Sequence, residues 1–559
     1  MILLDAYAAR SCAVKTHHGF DPQVHLVPGE IDEALQELFD LGEQFEAEVA
    51  SRLLQQLPGT VDLREFDAAE AEERLRAAVA EGAPAILGAS LPMDPEGHRV
   101  GRVDLLVRGP DRPDGRPGYG PVEIKRHRVL ERRRAGMAAP AAWIAPLNEP
   151  ARAVEVAERR FRFGSREADL VQLAHYWRML EAAGLGAQGR PWVGVIGNDP
   201  LPDPVITWVR LDRPVSRTFS RTAEVGWTKR SILERYDHEF AFRLDVARVA
   251  ARQGEPDAPA PLVTPIRVDE CRRCPWWELC REEMGEDDLS VKLDKGPLDV
   301  REISVLRRMG VRTVADLANV SLDELLPTYL AEVRHRDNAE ARIRTAHRRS
   351  VMMRDGVLLD RTTSGPIAFT SAEVEIDFDL ESSQEQRIYL WGFLVNDTHG
   401  SRYVSFAGWE DLDEAGELAL ADRALGWLRA MIDEHGATVH HYSGYEIAQL
   451  ERLATAGSTL AADMLTPANR AHFIDLYEIV KRHWFGVNGL GLKQVAVHGA
   501  GFAWRDDDPN GLSSQAWFHD AVHAARLDER DAARHRVLDY NEDDVIATRE
   551  VRRWLREQG

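Results

Sequence analysis

The chain has 559 residues, 44% apolar and 29% charged, so it can bury ordinary cores and wholesale disorder is excluded. At roughly 150 residues per domain it should hold three or four compact units. A formal net charge of −22 argues against coating nucleic acid by bulk electrostatics, though not against an enzyme with a local basic track. No window approaches the ~18 uninterrupted apolar residues of a membrane helix. Asp5, Arg10 and Lys15 leave no room for a secretory apolar region, so a cytoplasmic location is expected.

Residues 30–57 read as a long helix with Leu35, Leu38, Phe39, Gly42, Phe45 and Val49 on one side. Residues 99–107 alternate like a strand, a Gly/Pro/Asp-rich loop covers 109–120, and 121–125 resumes as a second strand. A helix over 165–183 and a strand over 191–196 follow. More helical sequence then leads to a cysteine cluster, closing a mixed α/β unit near residue 285. The chain's four cysteines are Cys12, Cys271, Cys274 and Cys280. A disulfide framework does not suit a reducing compartment. A structural zinc usually draws two close Cys/His pairs. One distant cysteine plus a tight cluster of three fits a cubane iron–sulfur cluster better, since each iron takes one thiolate. Zinc, or uncoordinated thiols, is the competing reading of the spacing.

Residues 286–360 differ in character. Val305-Leu-Arg-Arg-Met-Gly-Val-Arg-Thr-Val-Ala-Asp-Leu317 reads as helix, glycine turn, threonine cap and helix. It resembles half of a helix-hairpin-helix, whose turn approaches a DNA backbone; a packing hairpin fits the same residues. An arginine-rich helix follows with Arg334, Arg336, Arg342, Arg344, Arg348, Arg349 and Arg354. It is either a solvated face or a phosphate-contacting track. From residue 361, strands are expected over 372–381, 387–396 and 402–408. Next come a helix (413–435), a strand (437–442), a helix (445–456) and a final helix near 529–556. Strands first, then alternating helix and strand, is the order of an RNase H-like fold. The sequence contains neither a Walker A motif nor internal repeats.

Two constellations carry chemistry. Asp104 ends one strand, and Glu123 and Lys125 share one face of the next. Two carboxylates and an ammonium suit metal-dependent phosphodiester cleavage: the acids hold Mg²⁺ or Mn²⁺, the metal activates water, and the lysine positions that water or offsets charge. Only seven of the 70 basic residues are lysines, so one at such a position is less easily coincidence. Gly-Arg-Val-Asp104 and Val-Glu123-Ile-Lys125 resemble the motifs of the RecB-like branch of the PD-(D/E)xK nucleases. Gln172-Leu-Ala-His-Tyr176 is similar to the Q-x-x-x-Y helix that follows them there, whose i and i+4 residues share a face. The resemblance implies a restriction-endonuclease-like core over residues 1–285. Glu46 stands where that family usually has a metal-binding histidine. The resemblance extends to members with a 4Fe–4S cluster, such as AddB-type and CRISPR-associated RecB-like exonucleases, and implies cluster ligation by Cys12, Cys271, Cys274 and Cys280.

In the second constellation, residues 373–381 alternate acidic and apolar side chains, giving a strand with one acidic and one buried face. Five like charges on one face repel, and divalent cations would relieve them. Tyr540 and Asp544 lie one helical turn apart. Phe-Asp379-Leu-Glu381 and Tyr540-x-x-x-Asp544 resemble the first and last motifs of DEDDy exonucleases, in particular the YprB-like branch of the RNase H superfamily. Glu446 stands at the middle motif, where the wider group has aspartate, and Asp475 competes with it for that role. This resemblance covers about 361–559 and implies two metals bridging the acids and the scissile phosphate, with Tyr540 orienting the attacking water.

The expected architecture is therefore α/β and multidomain. A PD-(D/E)xK nuclease with an iron–sulfur cluster (1–285) leads through a helical hairpin linker (286–360) to an RNase H-like exonuclease domain (361–559). The expected function is metal-dependent nucleic-acid cleavage in DNA repair or recombination, on DNA with single-stranded ends, with a separate helicase as the implied partner and no membrane. The alternatives are a non-catalytic DNA-end-binding module and an iron–sulfur sensing subunit. Dense carboxylates facing phosphates argue against a pure binder.

Overall fold

The computed structural model describes residues 1–25, 33–132, 143–155, 161–164, 166–199, 201–384, 386–506 and 511–558. They fall into two compact units. One comprises Met1–Lys292, Leu298–Thr313 and Val320–Ile343; the other comprises Leu293–Pro297, Val314–Asn319 and Arg344–Gly559. Among the described residues, no helix is long and apolar enough to cross a membrane.

In the N-terminal unit, helix α1 (Ala13–Phe20) precedes a long helix, Glu33–Gln56. The expected start of that helix at residue 30, and the side chains of Leu35 and Leu38, lie outside the described residues. Phe39 is 50% exposed rather than packed; the apolar stripe consists of Phe45, Val49, Ala50 and Leu53. Strands β1 (Arg102–Arg108) and β2 (Tyr119–Lys125) pair antiparallel, as the hairpin loop between them requires. Helix α2 (Glu167–Ala182) then crosses to β3 (Trp192–Gly197), which pairs parallel to β2 with Val122 opposite Gly194. These strands are the middle of an eight-stranded sheet. Its order is Val61–Asp62, Ala85–Ser90, β1, β2, β3, Val205–Arg210, Trp143–Pro146 and Val154–Glu155. Period-two alternation sends Val122 and Ile124 into the core shared with Val49 and Leu53, and turns Glu123 towards α2. On the same sheet face, α2 packs Leu173, Ala174 and Trp177 into a second core with Val193 and Val195.

The C-terminal unit is built on a five-stranded sheet. Its strands are β4 (Glu375–Ser382), β5 (Ile388–Asp397), β6 (Gly400–Ala407), β7 (Thr438–His441) and β8 (Phe473–Asp475), in the order β6-β5-β4-β7-β8. The first three form an antiparallel meander, and β7 and β8 add in parallel. Helix α3 (Glu414–His435) covers one face, with Leu420, Ala424 and Leu428 packed on Phe378 and Phe393. Helices α4 (Tyr445–Thr455), α5 (Leu476–His483), α6 (Leu492–His498), α7 (Gly511–His523) and α8 (Leu527–Glu557) also belong to the unit. The sequence reading did not resolve α5, α6 and α7, which are short or fall in polar sequence.

The acidic face of β4 is not solvated. The strand is central, and α8 lies across its acidic row. Steps of two residues along a strand cover ~6.7 Å, and steps of four along a helix cover ~6 Å, so the two rows keep register. Arg552 donates to both oxygens of Asp377 (2.9 and 2.7 Å) and pairs with Glu375; Arg556 also holds Glu375 at 2.9 Å. Of the five acids expected in the row, Glu373 lies outside the strand and is exposed, and two of the remaining four are neutralised by arginines, not by metal.

The arginine-rich helix is shorter than expected, and several of its arginines have carboxylate partners. The helix runs Ala339–Arg354, which leaves Arg334 and Arg336 outside it. Arg342 is committed to the fully buried Glu302 (2.7 Å), Arg336 to Asp299, Arg348 to Asp360 (2.6 Å) and Arg354 to Asp355 (2.9 Å). Much of the expected phosphate-contacting track is spent on ion pairs.

Removing one partner of a buried ion pair strands the other charge, at about 3–5 kcal/mol. Arg552→Met should therefore lower the stability of the C-terminal unit by about that amount. Urea unfolding measures it, and a transition at the wild-type midpoint would refute the structural role given to Asp377.

Candidate metal centres

The remaining half of the β4 row is a different case. Asp379, Glu381 and Asp544 each offer an oxygen within 4.8 Å of the others, the only such trio of acids, histidines or cysteines among the described residues. Asp379 and Glu381 come from β4 and Asp544 from α8, eight residues before Arg552. Burial, and then mutual repulsion with Asp544, raise Asp379 well above the usual carboxylate range and Glu381 to about 8. Burial also raises Asp544 to about 6, against the opposing effects of Trp504 and Lys493. Without a cation, these groups resist holding all their charges at once.

Each acid is aimed by a neutral donor. Asn541 Nδ2 donates to Asp379 Oδ2 (2.8 Å), while the hydroxyl of Tyr403 donates to Asn541 Oδ1 (2.7 Å) and fixes the amide's orientation. Ser514 Oγ donates to Glu381 Oε2 (2.6 Å), and Trp504 Nε1 donates to Asp544 Oδ1 (2.7 Å). Gly392, opposite Asp379 on β5, makes room for Asn541: a Cβ at that position would collide with the amide oxygen. The sequence reading missed Asn541, Ser514, Trp504, Tyr403 and Gly392. A signal for Asn541 existed, since it directly follows Tyr540.

Glu446 lies in the first turn of α4, 3% exposed, and its charge adds to the rise of Asp379. Its Oε2 is buried without a hydrogen-bond partner, 3.4 Å from His441 Nδ1. Asp475 does other work. It caps α5 through the N–H groups of Tyr477 (2.9 Å) and Glu478 (3.3 Å) and accepts from Ser443 N.

In the N-terminal unit, Asp104 Oδ2 accepts from Ile124 N (2.8 Å), which ties the two strands at the site. Glu123 is fully buried. Its Oε2 pairs with Lys125 and accepts from Gln172 Nε2 (3.0 Å), and its Oε1 has no partner. Gln172 also donates to the Tyr176 hydroxyl at 3.3 Å. Burial and then the charge of Asp104 raise Glu123 to about 8. Burial opposes the charge on Lys125, but Glu123 and Asp104 outweigh it and the lysine stays firmly protonated. Glu46 is half-buried, and burial and then the charge of Asp104 raise it above the usual carboxylate range. Glu46, Asp104 and Glu123 are not drawn as close as the C-terminal trio.

The four cysteines, all free thiols, line one pocket with Trp276 and Trp277. Cys12 immediately precedes α1, and its N–H donates to Glu270 Oε2 (2.9 Å), beside Cys271. Burial raises the Cys271 and Cys274 thiols, and Cys280 to about 12. A tetrahedral zinc with Zn–S of ~2.3 Å would hold its sulfurs about 4 Å apart. Among the described residues no three of these sulfurs lie within 4.8 Å of one another, and Cys280 Sγ lies 3.4 Å from His18 Nε2.

A family model, RNase_H_2 of the RNase_H superfamily, matches residues 376–556. That span holds Asp379, Glu381, Glu446, Tyr540 and Asp544. Residues 376–556 thus form an RNase H-like domain, consistent with a nuclease that uses divalent metals on nucleic acid. Searches of curated proteins and of solved structures found no match.

Asp544 and Glu381 rise from 3.8 and 4.5 to about 6 and about 8 in the folded chain. Folded values above unfolded ones stabilise the metal-free fold below about pH 4, and this contribution is lost as pH rises through 6 to 8. Melting temperature in EDTA should fall over that window, and Mn²⁺ should raise it most at the alkaline end. A Mn²⁺ effect independent of pH would contradict the assignment.

Proposed function

We propose that the chain is a metal-dependent nuclease with two phosphodiester-cleaving sites, acting on DNA with single-stranded ends in repair or recombination. The observation that carries this reading is the trio Asp379, Glu381 and Asp544, held within 4.8 Å inside a region that matches the RNase H superfamily.

At the C-terminal site, Asp379, Glu381, Asp544 and Glu446 would hold Mg²⁺ or Mn²⁺. Two such ions, when bound, supply an activated water and offset charge on the scissile phosphate. The unpartnered oxygen of Glu446 and the mutual repulsion of the trio fit divalent cations. Asn541, Ser514 and Trp504 keep the carboxylates aimed, so little reorganisation is needed when substrate arrives. Tyr540, one turn before Asp544, orients the attacking water. With Asp475 engaged as a helix cap, Glu446 is the fourth acid.

At the N-terminal site, Asp104, Glu123 and Glu46 would bind the metal. The free Oε1 of Glu123 fits a cation, while Gln172, braced by Tyr176, holds the other oxygen. Lys125 keeps its ammonium against Glu123, where it positions water or offsets developing charge. Cys12, Cys271, Cys274 and Cys280 would hold a 4Fe–4S cluster that joins the two ends of this unit. A separate helicase would supply the single-stranded ends.

The test is degradation of 5′- and 3′-labelled single- and double-stranded oligonucleotides by the full chain with Mg²⁺ or Mn²⁺. Asp379→Ala should remove one metal-dependent component, Asp104→Ala or Lys125→Ala the other, and Asp379→Ala with Asp104→Ala both. No cleavage by the folded wild-type chain with any divalent metal would overturn the reading. Anaerobically purified protein should also contain iron and acid-labile sulfide, lost in Cys271→Ala; stoichiometric zinc without sulfide would overturn the cluster.

A further inference from the structure

The roles above leave Lys493 without a task, although it stands at the C-terminal acids. It lies at the start of α6, half-buried, and its Nζ donates to the Tyr540 hydroxyl oxygen at 3.3 Å. The ammonium also sits 5.2 Å from the centre of the Tyr540 ring and 5.8 Å from that of Trp504. These are the two aromatic side chains that attend Asp544. The rarity of lysine that singles out Lys125 applies equally here.

An ammonium has donors only. With Lys493 on the Tyr540 oxygen, the tyrosine's own proton must point away from the ammonium, and Asp544 stands one helical turn along on the same face of α8. The ammonium therefore fixes both the side chain and the sense of its hydrogen bond. It also brings positive charge to a site with four carboxylates, and that charge opposes the rise of Glu381 and Asp544. A cation wedged between two rings is held by their faces as well as by the hydroxyl.

We propose that Lys493 is a positioning residue of the C-terminal site: it holds Tyr540 as a donor towards Asp544 and tempers the charge that the metals and the phosphate meet. This rests on the nuclease reading of that site. The sign of its charge effect separates it from a merely structural lysine. Removing a cation from beside the acids deepens their negative potential, so divalent metal should bind more tightly while the reaction slows. Damage to the fold would weaken both.

The experiment uses the full chain carrying Asp104→Ala and Glu123→Ala, so that only the C-terminal site acts. Lys493→Met and Lys493→Arg are compared in that background. Cleavage of a 3′-labelled single strand gives kcat and KM, electron paramagnetic resonance gives Mn²⁺ affinity, and thermal melts report on the fold. Lys493→Met should lower kcat by about 10–100-fold, the range for losing a partner that orients a metal-site group, with KM nearly unchanged. Its Mn²⁺ affinity should rise severalfold, and Lys493→Arg should restore most of both. Wild-type kcat and Mn²⁺ affinity in Lys493→Met would overturn the proposal. So would a joint loss of kcat, Mn²⁺ affinity and melting temperature, which would mark a role in the fold alone. If the parent chain cleaves nothing, the nuclease reading of the C-terminal site falls, and the Mn²⁺ measurement alone decides for or against Lys493.

Discussion

Four acids in a row on a strand covered on both faces set the terms for the C-terminal unit. Glu375, Asp377, Asp379 and Glu381 are held under α8, where unpaired charge is costly. The chain resolves this in two ways along one helix. Arg552 and Arg556 neutralise the first two acids, while Asp544 adds a further carboxylate to the last two. The arginine end locks α8 in register on β4. That lock is what brings Asp544, two turns earlier, to within reach of Asp379 and Glu381. Stability at one end of the row thus sets the geometry of repulsion at the other.

The two candidate sites share a way of aiming an acid with a neutral donor, although Glu123 also meets the Lys125 ammonium. In each, a side-chain amide donates to one carboxylate oxygen, and a tyrosine hydroxyl contacts that amide: Gln172 with Tyr176 on Glu123, Asn541 with Tyr403 on Asp379. In each, a glycine makes space for one of these groups. A Cβ on Gly101 would stand 2.8 Å from the Tyr176 ring, and one on Gly392 would strike Asn541. A neutral donor orients a carboxylate and leaves its charge for a cation, which an arginine in the same place would not.

The cysteine pocket imposes a different constraint. Cys12 and Cys271 are separated by nearly the whole N-terminal unit, yet Glu270 bonds the Cys12 N–H and pairs with Lys15 one helical turn further on. Any group bridging the four thiols would close a very long loop, whose entropy in the unfolded chain makes such a bridge stabilising. The same N-terminal segment supplies Arg10, whose guanidinium bonds the Gln172 amide oxygen. The cysteine pocket and the Glu123 site are therefore a few residues apart along the chain.

Local pattern made the strands and helices legible. The alternation at 99–107 and 373–381, the helical period at 413–435 and the Tyr540–Asp544 spacing each follow from where Cβ atoms point, which needs no knowledge of neighbours. So did the acids themselves, since Asp379, Glu381 and Asp544 sit in short motifs. Four things were not legible. That β4 is central, that Arg552 and Arg556 are the partners of Glu375 and Asp377, that Asp475 is a helix cap while Glu446 keeps a free oxygen, and that Asn541, Ser514 and Trp504 aim the acids all depend on contacts between distant residues. The arginines of 334–354 make the same point: their sequence shows charge, and only packing shows that Glu302 or Asp299 has already claimed it. Sequence fixes what a residue can donate, accept or bury. Which partner it meets is decided by the register of one element on another, and no short stretch of chain contains that.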